Sequence, residues 1–147
     1  MVINTTSSRI DFYLASATLN LEIPVISDAI SAGFPSPAMD FIDLTIDMNQ
    51  FLIKNPSSTF YGRVKGMSMK DAGIYDGDLL VIDKSIYAKN NQIAVCFIDG
   101  EFTVKRISVN DGSCWLIPEN KDYKPIKISE DHNFQIWGVV THVIKTM

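Results

Sequence analysis

The sequence predicts a mainly β domain with a flexible N-terminal arm and short helical segments, and three observations lead there. From Ser58 onward the chain breaks into short apolar stretches bounded by turn residues, at the spacing of an all-β sandwich or barrel. Asp-Gly pairs at Asp76-Gly77, Asp99-Gly100 and Asp111-Gly112 punctuate those stretches, and Asp-Gly readily adopts the positive φ angles of tight hairpin turns. With 46% hydrophobic residues in 147, the chain can bury a real core without depending on staples.

Taken in order, Met1 to Leu21 mixes Asn, Thr and Ser with isolated apolar residues (Ile10, Phe12, Tyr13, Leu14) and has no firm helical or strand period. It reads as a loosely ordered arm. Pro24 interrupts the apolar group Ile23 to Ile26, and two prolines and a glycine in Ser31-Ala32-Gly33-Phe34-Pro35-Ser36-Pro37 prevent regular structure. That segment is an exposed, extended connector suited to being cut. Between Ala38 and Lys54, the spacing of Phe41, Leu44, Met48, Phe51 and Leu52 by threes and fours fits one amphipathic helix or two helical pieces. Strands are expected over Thr59 to Val64, Asp78 to Asp83, Gln92 to Ile98, Phe102 to Val109, Trp115 to Ile117, Ile126 to Ser129 and Phe134 to Ile144. The clearest hairpin is Phe97 to Phe102, turning at Asp99-Gly100.

A formal net charge of -4 argues against a sequence-independent duplex binder, which needs a basic surface to neutralise phosphates. No strong direct DNA binding is expected. Cys96 and Cys114 lie in apolar runs without Cys-x-x-Cys spacing, so they read as buried, reduced thiols rather than a zinc or redox site. Met1 to Leu21 lacks the basic start and continuous apolar block of a secretory signal, and no run is long enough to span a bilayer. A soluble cytoplasmic protein is the expectation.

The chemistry centres on Ser68, at the seam between a β-like run and the glycine-rich stretch that ends at Gly73-Ile74. A serine hydroxyl is a weak nucleophile until a base takes its proton. The hairpin puts Glu101 to Ser108 on a strand, where Lys105 and Arg106 must point to opposite faces. Only one of the two can enter a core or cleft. Lysine is the useful one, because desolvation disfavours its charged form, whereas a guanidinium stays protonated. To work near neutrality a lysine pKa must fall by roughly 3 from about 10.4, a cost to the ammonium of about 4 kcal/mol. Phe102, Val104 and Ile107, or residues of adjacent strands, are the candidates for the apolar surround. His132 lies in a polar turn and His142 interrupts an apolar strand, so neither has a triad context, and two histidines and two cysteines make no closed metal set.

Gly66-Met67-Ser68-Met69-Lys70-Asp71, the Gly77-Asp78 turn with its apolar strand, and Glu101-Phe102-Thr103-Val104-Lys105-Arg106 resemble the LexA/UmuD family of self-cleaving Ser-Lys peptidases. The interval from Ser68 to Lys105 also matches. Ala32 to Ala38, Ile46 to Gln50 and Gly138 to Lys145 are similar to its polymerase-accessory branch, and the likeness runs from about Asp28 to the C-terminus. The resemblance implies a LexA/UmuD-type β-rich peptidase domain in which neutral Lys105 deprotonates Ser68, and Ser68 attacks the Ala32 carbonyl of the Ala32-Gly33 bond. Backbone amides of Met67 and Ser68 are the implied oxyanion donors. Residues 1–32 become a regulatory arm removed by self-cleavage, and 33–147 the peptidase and dimerisation domain. The implied partners are a second copy in a homodimer, a UmuC-type Y-family DNA polymerase subunit, and a RecA filament on single-stranded DNA as the trigger of cleavage in the SOS response. No cofactor or metal is implied. The alternative, a self-cleaving LexA-like transcriptional repressor, needs an N-terminal helix-turn-helix, and 32 residues with Pro24 and one basic residue, Arg9, cannot build one.

Overall fold

The computed structural model describes residues 2–3, 10–16, 19–26 and 42–147. Along these residues run β1 (Val2–Ile3), β2 (Ile10–Leu14), β3 (Glu22–Ile26), β4 (Ile42–Asp47), the short helix α1 (Met48–Leu52), β5 (Thr59–Val64), β6 (Leu79–Asp83), β7 (Ile93–Ile98), β8 (Glu101–Asn110), β9 (Ser113–Ile117), β10 (Ile126–Lys127) and β11 (Phe134–Ile144). They divide into two units, Met1–Ala15 with Asn55–Met147, and Ser16–Lys54.

The larger unit is an antiparallel sheet of nine strands in the order β1-β2-β5-β6-β11-β7-β8-β9-β10. The mainly β expectation holds, and each strand expected after Ser58 is present to within a few residues. Turn chemistry sets the register. Asp99 (φ 48°) and Gly100 (φ 86°) both take positive φ, so Ile98 pairs directly with Glu101 across a two-residue turn. Asp111 (φ 48°) and Gly112 (φ 76°) repeat the device between β8 and β9.

Strand alternation then sorts side chains into two cores. On β7, Val95 joins Ile10, Phe12, Val64, Met69, Ile74, Leu80, Ile82 and Val104, whereas its neighbours Ala94 and Cys96 join Ile107 and Leu116. β7 is therefore buried on both faces, which is why its sequence, Ile-Ala-Val-Cys-Phe-Ile, is continuously apolar.

The N-terminal segment corrects the expectation of a loosely ordered arm. Ile10 to Leu14 pair residue by residue with Val64 to Phe60, and Ile10 and Phe12 are each 1% exposed. Phe12 packs edge-on against Phe102 and tilted against Trp137, with ring centroids 4.8 and 4.6 Å apart. Gly62 makes room, because a Cβ there would lie 2.9 Å from Ile10 Cγ2.

In the smaller unit, β3 and β4 form an antiparallel pair, with Pro24 opposite Thr45. Among the described residues of this unit, helix is confined to Met48–Leu52, capped by the Asp47 carboxylate, which accepts from the Asn49 N–H at 3.0 Å. Over Ile42–Asp47 the expected helix is corrected to strand, where β-branched Ile42, Thr45 and Ile46 favour extended backbone, and its first residues, 38–41, lie outside the described residues. The Ala32-Gly33 connector lies outside the described residues. Among those that are described, no helix is long and apolar enough to cross a membrane.

Candidate active site

Ser68 sits in the loop that joins β5 to β6, and the loop is closed at its base. The Val64 N–H donates to the Asp78 carbonyl at 2.9 Å, and the Gly77 N–H returns to the Val64 carbonyl at 2.8 Å. Gly66, at φ 96°, takes a backbone conformation that side chains disfavour, and its N–H is held by the Asp76 carboxylate at 2.6 Å. One residue past the serine, Met69 is 2% exposed and anchors the loop in the core. A 3-10 turn comes next at Lys70–Ala72, ended by Gly73 in the left-handed region. Ser68 is thus fixed from both sides while remaining only half-buried itself.

β8 delivers the lysine. Lys105 is 7% exposed, and its Nζ lies 3.1 Å from Ser68 Oγ, 2.7 Å from Thr103 Oγ1 and 3.0 Å from the Val104 carbonyl oxygen. Thr103 and Lys105 share a side of the strand because they are two residues apart. Arg106 points away from it, forms an ion pair with Glu119 and donates to the Asn91 carbonyl at 2.6 Å. Of the three apolar residues considered as the lysine's surround, only Ile107 shares its side of β8; Phe102 and Val104 alternate to the other. Ala94, fully buried, sits opposite Lys105 on β7.

These contacts fit both protonation states of the amine. A neutral amine has two N–H bonds and one lone pair; the Val104 carbonyl can only accept, the Thr103 hydroxyl can accept, and the lone pair is left for the Ser68 O–H. An ammonium donates to all three oxygens. A proton can therefore pass between Oγ and Nζ with the heavy atoms in place. Among the described residues, neither the Met67 nor the Ser68 N–H is taken by a carbonyl or side chain, so both are available to an incoming oxyanion.

A second loop braces the serine. The Asp71 N–H donates to the Glu119 carbonyl at 2.8 Å, and Asn120 Nδ2 donates to the Met67 carbonyl at 2.7 Å. Neither Thr103 nor Asn120 stands out in the sequence as a site residue. Alternation points to Thr103, whereas the polar run Glu119-Asn120-Lys121-Asp122 gives no signal for Asn120.

Other candidate nucleophiles and bases fall away. His132 bonds within its own turn to Ser129, and His142 to Thr141, so neither is hydrogen-bonded to Ser68. Burial pushes the Cys96 thiol up to about 12, with repulsion from Cys114 adding to it and the Lys105 charge opposing, so no useful thiolate forms there.

Known proteins are similar to this sequence over most of its length. The family described as Peptidase S24-like matches residues 24–141. Protein MucA of Salmonella typhimurium is 40% identical over 136 residues, covering 91% of this chain and 92% of the relative. Protein ImpA of the same organism is 40% identical over 127 residues, covering 82% of each. Protein SamA, also from Salmonella typhimurium, is 40% identical over 121 residues, covering 82% of this chain and 84% of the relative.

Proposed function

The chain belongs to the Peptidase S24-like family of serine peptidases, which has self-cleaving members, and from that premise we propose that Ser68 and Lys105 form a Ser-Lys dyad cutting the chain's own Ala32-Gly33 bond. The observation that carries this reading is the 3.1 Å approach of Lys105 Nζ to Ser68 Oγ on a lysine almost removed from solvent. Lys105, neutral, takes the hydroxyl proton as Ser68 Oγ attacks the Ala32 carbonyl. The Met67 and Ser68 N–H groups receive the charge that develops on the carbonyl oxygen. Lys105 then returns the proton to the Gly33 amine as the peptide bond breaks, leaving an acyl-enzyme that water hydrolyses.

The substrate fits such a site on chemical grounds. Ala32 asks for a small pocket, Gly33 leaves the carbonyl unobstructed, and Pro35 and Pro37 resist helix. Because the bond belongs to the chain itself or to a dimer partner, cleavage draws on effective concentration rather than tight substrate binding. In this reading residues 1–32 are a regulatory arm. Residues 33–147 are the active product, a homodimer that serves a UmuC-type Y-family polymerase in the cytoplasm, with a RecA filament on single-stranded DNA as trigger. UmuD-like relatives over most of the chain support the link to the mutagenesis-associated polymerase system.

The test is incubation of the purified chain at alkaline pH, where more of the lysine is neutral, with mass spectrometry of the products. Residues 33–147 should appear from wild type while Ser68→Ala stays intact; equal cutting of both removes Ser68 from the chemistry. Co-purification of 33–147 with a Y-family polymerase tests the partner.

A further inference from the structure

Asn120 is 6% exposed, although it belongs to a polar loop whose next residues, Lys121 and Asp122, are exposed. A buried side-chain amide must place both of its ends in hydrogen bonds, or the burial is costly. Here Oδ1 accepts from the Asp122 N–H at 3.0 Å, which fixes the orientation of the amide, since a backbone N–H can only donate. Nδ2 is thereby turned to the Met67 carbonyl at 2.7 Å, across 53 residues of sequence. The other donor to that carbonyl, the Lys70 N–H, is 3.3 Å away, so Asn120 provides the shorter hold.

The Met67 carbonyl belongs to the same peptide unit as the Ser68 N–H. In a planar trans peptide the C=O and N–H point in opposite directions, so fixing one aims the other. The side-chain amide of Asn120 bonds to the Met67 carbonyl and the Asp122 N–H, so its hold on Ser68 runs through one peptide plane. On the reading of Ser68 as nucleophile, on which this inference rests, we propose that Asn120 is a positioning residue that aims the Ser68 N–H at the oxyanion formed during self-cleavage.

The experiment monitors self-cleavage of the full chain from neutral to alkaline pH for wild type, Asn120→Asp, Asn120→Leu and Ser68→Ala, with thermal unfolding of each. Loss of one oxyanion donor slows catalysis by about 10²–10³-fold. Both Asn120 variants should show a slowing of about that order, and in Asn120→Leu, which adds no charge, the midpoint of the pH profile should stay at its wild-type position. Asn120→Asp preserves the side-chain shape and carries the test if the leucine variant unfolds. Wild-type rates in a folded Asn120→Asp protein would overturn the proposal. So would a loss in Asn120→Leu recovered simply by raising the pH, which would place Asn120's effect on Lys105. A rate restored well below the unfolding midpoint would reduce Asn120 to a purely structural role and would likewise overturn it. Cutting by Ser68→Ala at the wild-type rate marks a different failure, that of the dyad itself.

Discussion

Replacing Phe12 by alanine tests whether the N-terminal segment is part of the peptidase unit's core. Its ring is 1% exposed and lies against Phe102 and Trp137, at 4.8 and 4.6 Å between centroids. A buried Phe→Ala change costs about 3–5 kcal/mol through lost transfer energy and the cavity left behind. Each aromatic pair adds about 0.5–1.5 kcal/mol beyond area burial, so the upper half of that range is expected, about 4–5 kcal/mol. Against a typical total of about 5–15 kcal/mol this is a large fraction. The assay is urea unfolding monitored by tryptophan fluorescence, with Trp137 beside the substituted ring as reporter. It is carried out in a Ser68→Ala background so that no chain loses β2 by self-cleavage during the measurement. Leu14→Ala, on the same strand but 51% exposed, is the control and should change stability by less than about 0.5 kcal/mol. A loss below about 1 kcal/mol for Phe12→Ala, indistinguishable from that control, refutes the placement of Phe12 in the core.

Other sites give further expected outcomes. Lys105→Arg should abolish self-cleavage, since a guanidinium cannot act as base near neutrality; a band of residues 33–147 from that variant on a gel would exclude Lys105. Thr103→Val leaves a buried lysine N–H without its 2.7 Å acceptor, a defect of about 1–3 kcal/mol, and should slow cleavage about tenfold or more by the same gel assay. Burial is the main cause that raises Cys96 from 9.0 to about 12, so its protonated form stabilises the fold fully below the unfolded value and loses that contribution as pH climbs toward 12. A thiol reagent at mildly alkaline pH should therefore modify Cys96 only on unfolding, read by mass spectrometry. Asp83 is raised by burial, but bonds from Ser85, Asn55 and Ser58 outweigh this and hold it below 3.8. Its contribution is present above the unfolded value and lost as pH falls through the depressed one. Asp83→Asn should flatten the acid limb of unfolding free energy against pH.

Much of the β architecture was legible because its signals are local. The two-residue turns at Asp99-Gly100 and Asp111-Gly112 specify their own registers, and the apolar runs after Ser58 match the observed strands. Residue type and alternation singled out Ser68 and Lys105 as candidates, whereas their pairing rested on the resemblance to the family. β2 could not, because its partner β5 lies about 50 residues further on and its alternating Ile10 and Phe12 are embedded in polar sequence. β4 was hidden by apolar spacing that suits a helix, against which β-branched residues prevailed. Asn120 was invisible for a different reason. A residue that works by hydrogen-bonding to a distant carbonyl leaves no period and no motif, only a polar side chain in a polar loop.

The place of β2 in the sheet bears on the fate of the arm if the chain is cut at Ala32-Gly33 as proposed. The chain from Ala15 to Ser58 links β2 to β5, and the Ala32-Gly33 bond lies within that link. Before the cut β2 is a tethered neighbour, present at a high local concentration however dilute the protein. After it, residence of β2 on β5 becomes an equilibrium between two molecules, set by five paired residues, two buried side chains and the total concentration. A slow chemical step on one peptide bond would in this way hand control of a sheet edge to dilution.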